Sequence, residues 1–222
     1  GYFLGEDKEY VGIMRIHEDI SIENIQKTIN AKFIGKITQL PPVKSSVKRQ
    51  ERQREIKKFE LLEKNNKNIL FHVEVEGGPD VRKLIDDLGK ELGIGAHMLE
   101  LRRTRAGIFT EDDKIYPSIN LYELEKTAKE YEKGDEESLR KIIIPAEIII
   151  KLHQRVDVKK DNVKQILTGK PIHEKDLIKK EKRKAGEIVC IFSGDKFIGM
   201  YKVVNDKDVF AKAEFVMQEI KN

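Results

Sequence analysis

The sequence predicts an α+β protein in two parts, a sheet with helices packed on it followed by a smaller domain of short strands. Through roughly the first 145 residues, strand-like runs alternate with stretches of helical period. From about Ile148 onward, short apolar runs are separated by Gly169, Gly186, Gly194 and Gly199, with one compact helix-like segment at 162–167. A length of 222 residues exceeds what one minimal core needs and suits two modest domains. We place their boundary near Pro145.

Residues 10–16 (YVGIMRI) are rich in β-formers and apolar on both faces, which predicts a strand buried inside a sheet. Ser21 is a helix cap, with Ile22, Ile25 and Ile29 forming one apolar stripe behind it, and 32–38 reads as strand. Pro41 and Pro42 stop regular structure, and 44–58 (KSSVKRQERQREIKK), with seven basic residues against two acidic, reads as a basic arm or loop. Residues 59–62 and 69–76 read as a hairpin turning through Asn65 and Asn66, a residue type that tolerates left-handed backbone. Val81, Leu84, Ile85 and Leu88 recur with helical period, between Asp80 as cap and Gly93 as stop. Residues 96–105 (AHMLELRRTR) read as strand, and a further helix begins near Ser118.

Lys and Arg total 43 against 39 Asp and Glu, so a net charge of +4 says little about partners and local clusters must carry that argument. The charged share, 37%, beside 39% hydrophobic residues describes a folded chain with a dense charged surface, of a composition like that of hyperthermophile proteins. Cys190 is the single cysteine and the five histidines are scattered, which excludes a disulfide framework, shows no zinc spacing and suits a reducing, intracellular setting. The longest apolar stretch, 142–150, is broken by Pro145 and Glu147 and falls short of the roughly 20 residues a membrane span needs. No targeting segment is evident. The chain opens on Gly1 and enters strand-like sequence almost at once, which reads as a fragment.

Four stretches, in order, carry a resemblance: KEYVGIMRIH from Lys8, QLPPVKSSVKRQERQREI from Gln39, VRKLIDDLGKELGIGAHM from Val81 and ELRRTRAGIF from Glu100. Together they resemble the dyskerin, guide-RNA-dependent branch of the TruB family of pseudouridine synthases, the paired prolines and basic run favouring that branch over the stand-alone tRNA enzymes. The tail, with GKPIHEKDL from Gly169 and GDKFIGMYKV from Gly194, resembles a PUA domain, a small RNA-holding β-pseudobarrel. The resemblance implies a pseudouridine synthase-like catalytic portion over 1–145 and a PUA domain over 146–222. Its partners would be an H/ACA guide RNA, a target rRNA or tRNA, an N-terminal catalytic half and small accessory proteins, with no cofactor, no metal and no membrane. The location implied is the cytoplasm for an archaeal source and the nucleolus for a eukaryotic one.

In such chemistry an aspartate attacks the uridine, the glycosidic bond breaks, and the base is turned and rejoined through carbon after leaving its stack. The resemblance assigns the base platform to Tyr10, which otherwise reads as a core strand tyrosine. It assigns Arg82 to the aspartate, as a charge-assisted partner that keeps the carboxylate ionised, where the bland reading is a solvated helix arginine. Leu101 would pack on the base and Lys8 sits beside the tyrosine. Expected RNA contacts are Lys48 and Arg49 of the arm, the cations Arg102, Arg103 and Arg105, the turn Thr168, Gly169 and Lys170, and Lys182 and Arg183 within the cluster 179–184. His97, on a buried-looking strand, reads as a hydrogen-bonded core residue without chemistry.

Two departures matter. Where the family has a pocket tyrosine ahead of its arginine, this chain has Pro79, Asp80 and Val81; Asp80 suits a helix cap, but a carboxylate there stands ready to compete for Arg82. The family's glycine-threonine-leucine-aspartate motif, which carries the nucleophile, occurs nowhere in these residues, so the chain alone is expected to be inert. Three readings follow: part of an enzyme completed by an upstream half, a non-catalytic guide-RNA scaffold, or a protein-interaction domain whose basic runs, such as 175–184, are soluble surface.

Overall fold

The structure, a computed structural model, describes residues 2, 6–40 and 50–217. It forms two compact units that divide between Asn120 and Leu121, 25 residues ahead of the boundary expected near Pro145. The helices at 121–132 and 136–142 pack on each other and belong to the second unit, so Pro145 follows that helical pair.

The first unit holds β1 (Lys8–Ile16), α1 (Ile22–Lys32), β2 (Gly35–Gln39), β3 (Arg52–Asn65), β4 (Asn68–Val75), α2 (Val81–Glu91), β5 (Ala96–Ala106) and β6 (Phe109–Thr110). The sheet order is β2-β3-β4-β1-β5-β6 and its pairings are antiparallel. β1 lies inside it as expected, yet among the described residues only one of its faces is covered by helices. Tyr10, Met14 and Ile16 are buried against α1 and α2, in a core with Ile25, Ile29, Leu84 and Leu88, while Val11 and Ile13 on the opposite face stay half-exposed.

Ser21 caps α1, its hydroxyl accepting from the Asn24 N–H at 3.3 Å. Asp80 caps α2, its carboxylate accepting from the Lys83 N–H at 3.1 Å, and Gly93 ends the run at φ +71°. Asn66, at φ +53°, turns the hairpin between β3 and β4. The basic arm needs correction: 52–58 is not a loop but the start of β3, paired with β2 on one side and β4 on the other. Ladder hydrogen bonds and the buried Ile56 outweigh the low strand preference of its charged residues. Residues 44–49 of that arm, with Lys48 and Arg49, lie outside the described residues.

The second unit holds α3 (Leu121–Glu132), α4 (Glu136–Ile142), β7 (Gln154–Asp157), α5 (Val163–Ile166), β8 (Ile172–His173), β9 (Ile188–Ser193), β10 (Lys196–Asp206) and β11 (Val209–Val216). Its sheet runs β7-β9-β10-β11-β8, with β7 and β9 parallel. The two edges are tied together. Val158, just after β7, bridges to Leu177, and the Lys159 and Ile178 N–H groups donate to the Asp176 and Asp157 carbonyls at 2.9 and 3.0 Å. The result is a small half-barrel closed over Val156, Ile166, Ile191, Tyr201 and Phe210. No helix among the described residues is long and apolar enough to cross a membrane.

Candidate functional site

At one end of the first sheet, β1 and β3 begin and β2, β4 and β5 finish, with the N-terminus of α2 standing over them. An open cleft of about 610 Å³ lies there. Three of its lining residues are those the resemblance singled out: Tyr10, Arg82 and Leu101.

Strand register explains the grouping. Directly opposed residues of an antiparallel pair share a face, so Tyr10 opposite Arg103 and Gly12 opposite Leu101 present to the side that α2 covers. The Arg103 Nε donates to the Tyr10 hydroxyl at 3.2 Å, and its guanidinium carbon lies 5.4 Å from the ring centroid. Tyr10 is only 8% exposed, so the ring is both a core residue and a wall of the cleft. Arg82, in the first turn of α2, is exposed, and no hydrogen bond or ion pair joins it to another described residue. Asp80 does not compete for it: the carboxylate is committed to the Lys83 amide.

The three β5 arginines do not form one cluster. Arg102 lies opposite Val11, on the other face, and pairs with Glu111 at 2.7 Å. A β-bulge between the Tyr10–Arg103 and Glu9–Arg105 pairs turns Arg105 to that face too, where it bonds Glu9 and Glu74, both at 2.7 Å. Arg103 alone of the three reaches the cleft. The Lys8 ammonium donates to the Glu6 carbonyl at 2.8 Å and lies outside the cleft lining.

The hydrogen bond from Arg105 holds the Glu9 carboxyl below its ordinary value of 4.5. A carboxylate with a depressed folded pKa stabilises the fold above its unfolded pKa and loses that contribution as pH falls through the folded value. Glu9→Gln is therefore expected to cost about 0.5–1 kcal/mol near neutrality and less at an acidic pH below 4.5, where the folded carboxylate begins to take up its proton. Urea unfolding at both pH values checks this; an equal cost at both would show that the pair contributes through packing alone.

Sequence reasoning missed Gln39, Arg52 and Arg54 as cleft residues. Gln39 faces Arg52 and Ile37 faces Arg54 across β2 and β3, so the two arginines share the cleft side. Arg54 lies close against the turn: a Cβ placed on Gly78 would fall 3.1 Å from its guanidinium carbon. Their spacing of two was the available signal, once the segment is taken as strand rather than loop.

In the second unit, Thr168, Gly169 and Lys170 form an exposed turn, with Gly169 at φ +83° and the Thr168 hydroxyl donating to the Gln165 carbonyl at 2.6 Å. Beneath it, the Tyr201 hydroxyl, whose pKa burial pushes up to about 12, donates to the Ile166 carbonyl at 2.8 Å. Lys182 is exposed, whereas Arg183 is 17% exposed and ion-paired with Glu181 and Glu187. Phosphate would have to compete with those carboxylates for Arg183.

His97 needs correction: it is exposed rather than in the core, and its Nδ1 lies 2.8 Å from the His17 Nε2, one ring donating to the other. Cys190 is buried, with its thiol pushed up to about 11, which makes it a poor nucleophile. Among the described residues no group of three or more His, Cys, Asp or Glu is placed to hold a metal.

Comparison with known proteins points to a family. Residues 82–151 match the family described as tRNA pseudouridylate synthase B C-terminal domain. The chain is 41% identical over 177 residues to a probable tRNA pseudouridine synthase B of Methanocaldococcus jannaschii, a match covering 79% of this chain and 51% of that protein. It is 34% identical over 216 residues to the protein of the same name in Korarchaeum cryptofilum, covering 96% and 65%. The chain thus spans about half to two thirds of the length of these relatives. Among solved structures, a Cbf5-Nop10-Gar1 complex matches at TM-score 0.79 and 32% identity, covering 98% of this chain and 67% of the other. An H/ACA RNP bound to a substrate RNA containing 2'-deoxyuridine matches at 0.79 and 30%, covering 98% and 68%. Four sequence motifs in order, a cleft that gathers Tyr10, Arg82 and Leu101 and likeness over nearly the whole chain place this protein in the TruB/Cbf5 family of pseudouridine synthases.

Proposed function

We propose that this chain forms the guide-RNA-docking part and one wall of the uridine pocket of an H/ACA-type pseudouridine synthase. The observation that carries the reading is the convergence of Tyr10, Arg82 and Leu101 on one cleft, beside Arg52, Arg54 and Arg103. Tyr10 offers the flipped base an aromatic wall, Leu101 an apolar contact, and the arginines a field for the phosphates of the target strand. Arg82, exposed and without a partner among the described residues, is left to hold the nucleophilic aspartate. The described cleft residues include one carboxylate, Asp80, and it is engaged in capping, so the aspartate comes from an upstream segment of the same protein or from a second chain.

The half-barrel acts as a PUA domain, holding guide RNA through the turn 168–170 and the lysines around Lys182. Target rRNA, with tRNA as a further substrate, small accessory proteins and a location in the cytoplasm for an archaeal source or the nucleolus for a eukaryotic one complete the reading. The relatives named above are probable tRNA pseudouridine synthases, and the solved neighbours are a Cbf5-Nop10-Gar1 complex and an H/ACA RNP bound to a substrate RNA.

Incubated with guide and target RNA, the chain is expected to bind with an affinity that falls steeply with salt and to convert no uridine. Conversion is expected once a segment bearing the aspartate motif is added. Turnover by this chain alone would sink the division of labour, and binding insensitive to salt would favour a protein-interaction domain. A second reading, a non-catalytic guide-RNA scaffold, is favoured by Asp80 at the position of the family's pocket tyrosine. It predicts binding without conversion even when the aspartate segment is present.

A further inference from the structure

Gln39 ends β2 and is 5% exposed, yet its side chain is polar and has no role in the sheet. The carboxamide makes both of its bonds to one residue. Its Oε1 accepts from the Asp80 N–H at 3.1 Å and its Nε2 donates to the Asp80 carbonyl at 3.2 Å. The opposite amide orientation would set NH₂ against N–H and oxygen against oxygen, so this pairing also fixes which way the group points.

Asp80 is therefore held twice: its carboxylate caps α2 through the Lys83 amide, and its backbone is pinned to the sheet by Gln39. Among the described residues, the connection from β4 is otherwise held by the Arg54 guanidinium lying against Gly78 and by one backbone bond. The Glu76 N–H donates to the Glu55 carbonyl at 3.0 Å, and then come Gly77, Gly78 at φ +138° and Pro79. Two consecutive glycines leave that stretch with high backbone entropy, so the next fixed point sets where the helix starts. Arg82 stands two residues beyond it.

We infer that Gln39 is a positioning residue, a clamp that fixes the first turn of α2 and thereby aims Arg82 into the cleft. The inference rests on reading that cleft as the target-RNA pocket. Val81, Leu84 and Ile85 are buried and hold the body of the helix in place, so loss of the clamp should blur the first turn without unfolding the unit.

The test uses the full chain, ¹⁵N-labelled, with a short single-stranded oligouridylate as probe. In the unsubstituted protein the Asp80 amide is expected to exchange slowly, and the Arg82 Nε–H and Lys170 amide resonances to shift on adding RNA. Gln39→Leu removes both bonds; Gln39→Glu keeps an acceptor for the amide but sets a carboxylate against the Asp80 carbonyl. Both variants are expected to speed Asp80 exchange, abolish the Arg82 response and weaken RNA binding roughly tenfold, the scale of one lost charge-assisted contact. The Lys170 response should persist. An Arg82 response intact in either folded variant overturns the clamp, as does rapid Asp80 exchange in the unsubstituted protein, a measurement that needs no variant. A silent Arg82 in the unsubstituted protein, with Lys170 responding, overturns instead the reading of the cleft itself.

Discussion

Gly89→Ala is expected to destabilise the first unit by about 3 kcal/mol or more, the upper range for overpacking where the neighbour cannot yield. Gly89 lies inside α2, where an exposed glycine costs about 1 kcal/mol relative to alanine. Propensity alone therefore predicts a gain. Packing decides otherwise: a Cβ at this position would fall 2.1 Å from the Ala96 nitrogen and 2.6 Å from the Gly95 carbonyl carbon. Both are backbone atoms, held because the Ile94 and Gly95 N–H groups donate to the Gly89 carbonyl at 3.2 and 2.9 Å. To admit one methyl, α2 must lift from β5, and the buried Leu84 and Leu88 then lose contact with the sheet. Urea unfolding compared with Lys90→Ala, an exposed neighbour expected to be nearly neutral, isolates the effect. Equal or higher stability of Gly89→Ala would mean that helix and strand are less tightly joined than the structure shows.

The same helix shows what was legible in the sequence. Its period, its cap at Asp80 and its stop at Gly93 are local signals and could be read, because the residues that define a helix lie within a few positions of one another. The requirement for glycine at 89 could not be read, because it comes from Gly95 and Ala96 folding back across α2. The arginines of β5 make the point for the site. Their sequence places three cations within four residues, yet one bulge sends Arg103 to the cleft and Arg105 to Glu9 and Glu74 on the other face. A register shift has no signature in the strand that carries it. Arg52 and Arg54 were hidden by their company: prolines and a run of charge describe a loop, and only pairing with β2 and β4 makes the segment a strand. Tyr10, Arg82 and Leu101 were singled out through resemblance and do line one cleft, whereas elementary rules alone would have left each with a plain structural role.

Those three residues support the last expectation. In an enzyme completed by the aspartate-bearing segment, Arg82→Ala is expected to lower turnover by about 10²–10³-fold, the loss typical of removing one preorganised electrostatic group. Substrate binding should change far less, because Tyr10, Leu101, Arg52, Arg54 and Arg103 still line the cleft. The direction of the pH effect follows from the same contact. A guanidinium beside a carboxylate lowers its pKa, so removing it raises the pKa of the aspartate and moves the acid limb of the rate profile to higher pH. Arg82→Lys keeps the charge but not the planar fork, and should recover the position of the acid limb more fully than the rate. A merely structural arginine would behave differently: its loss would lower stability and rate together and leave the shape of the profile alone. Exposed, and without a partner among the described residues, Arg82 has little to contribute to stability, so an unchanged melting curve with a displaced acid limb is the result that separates the two.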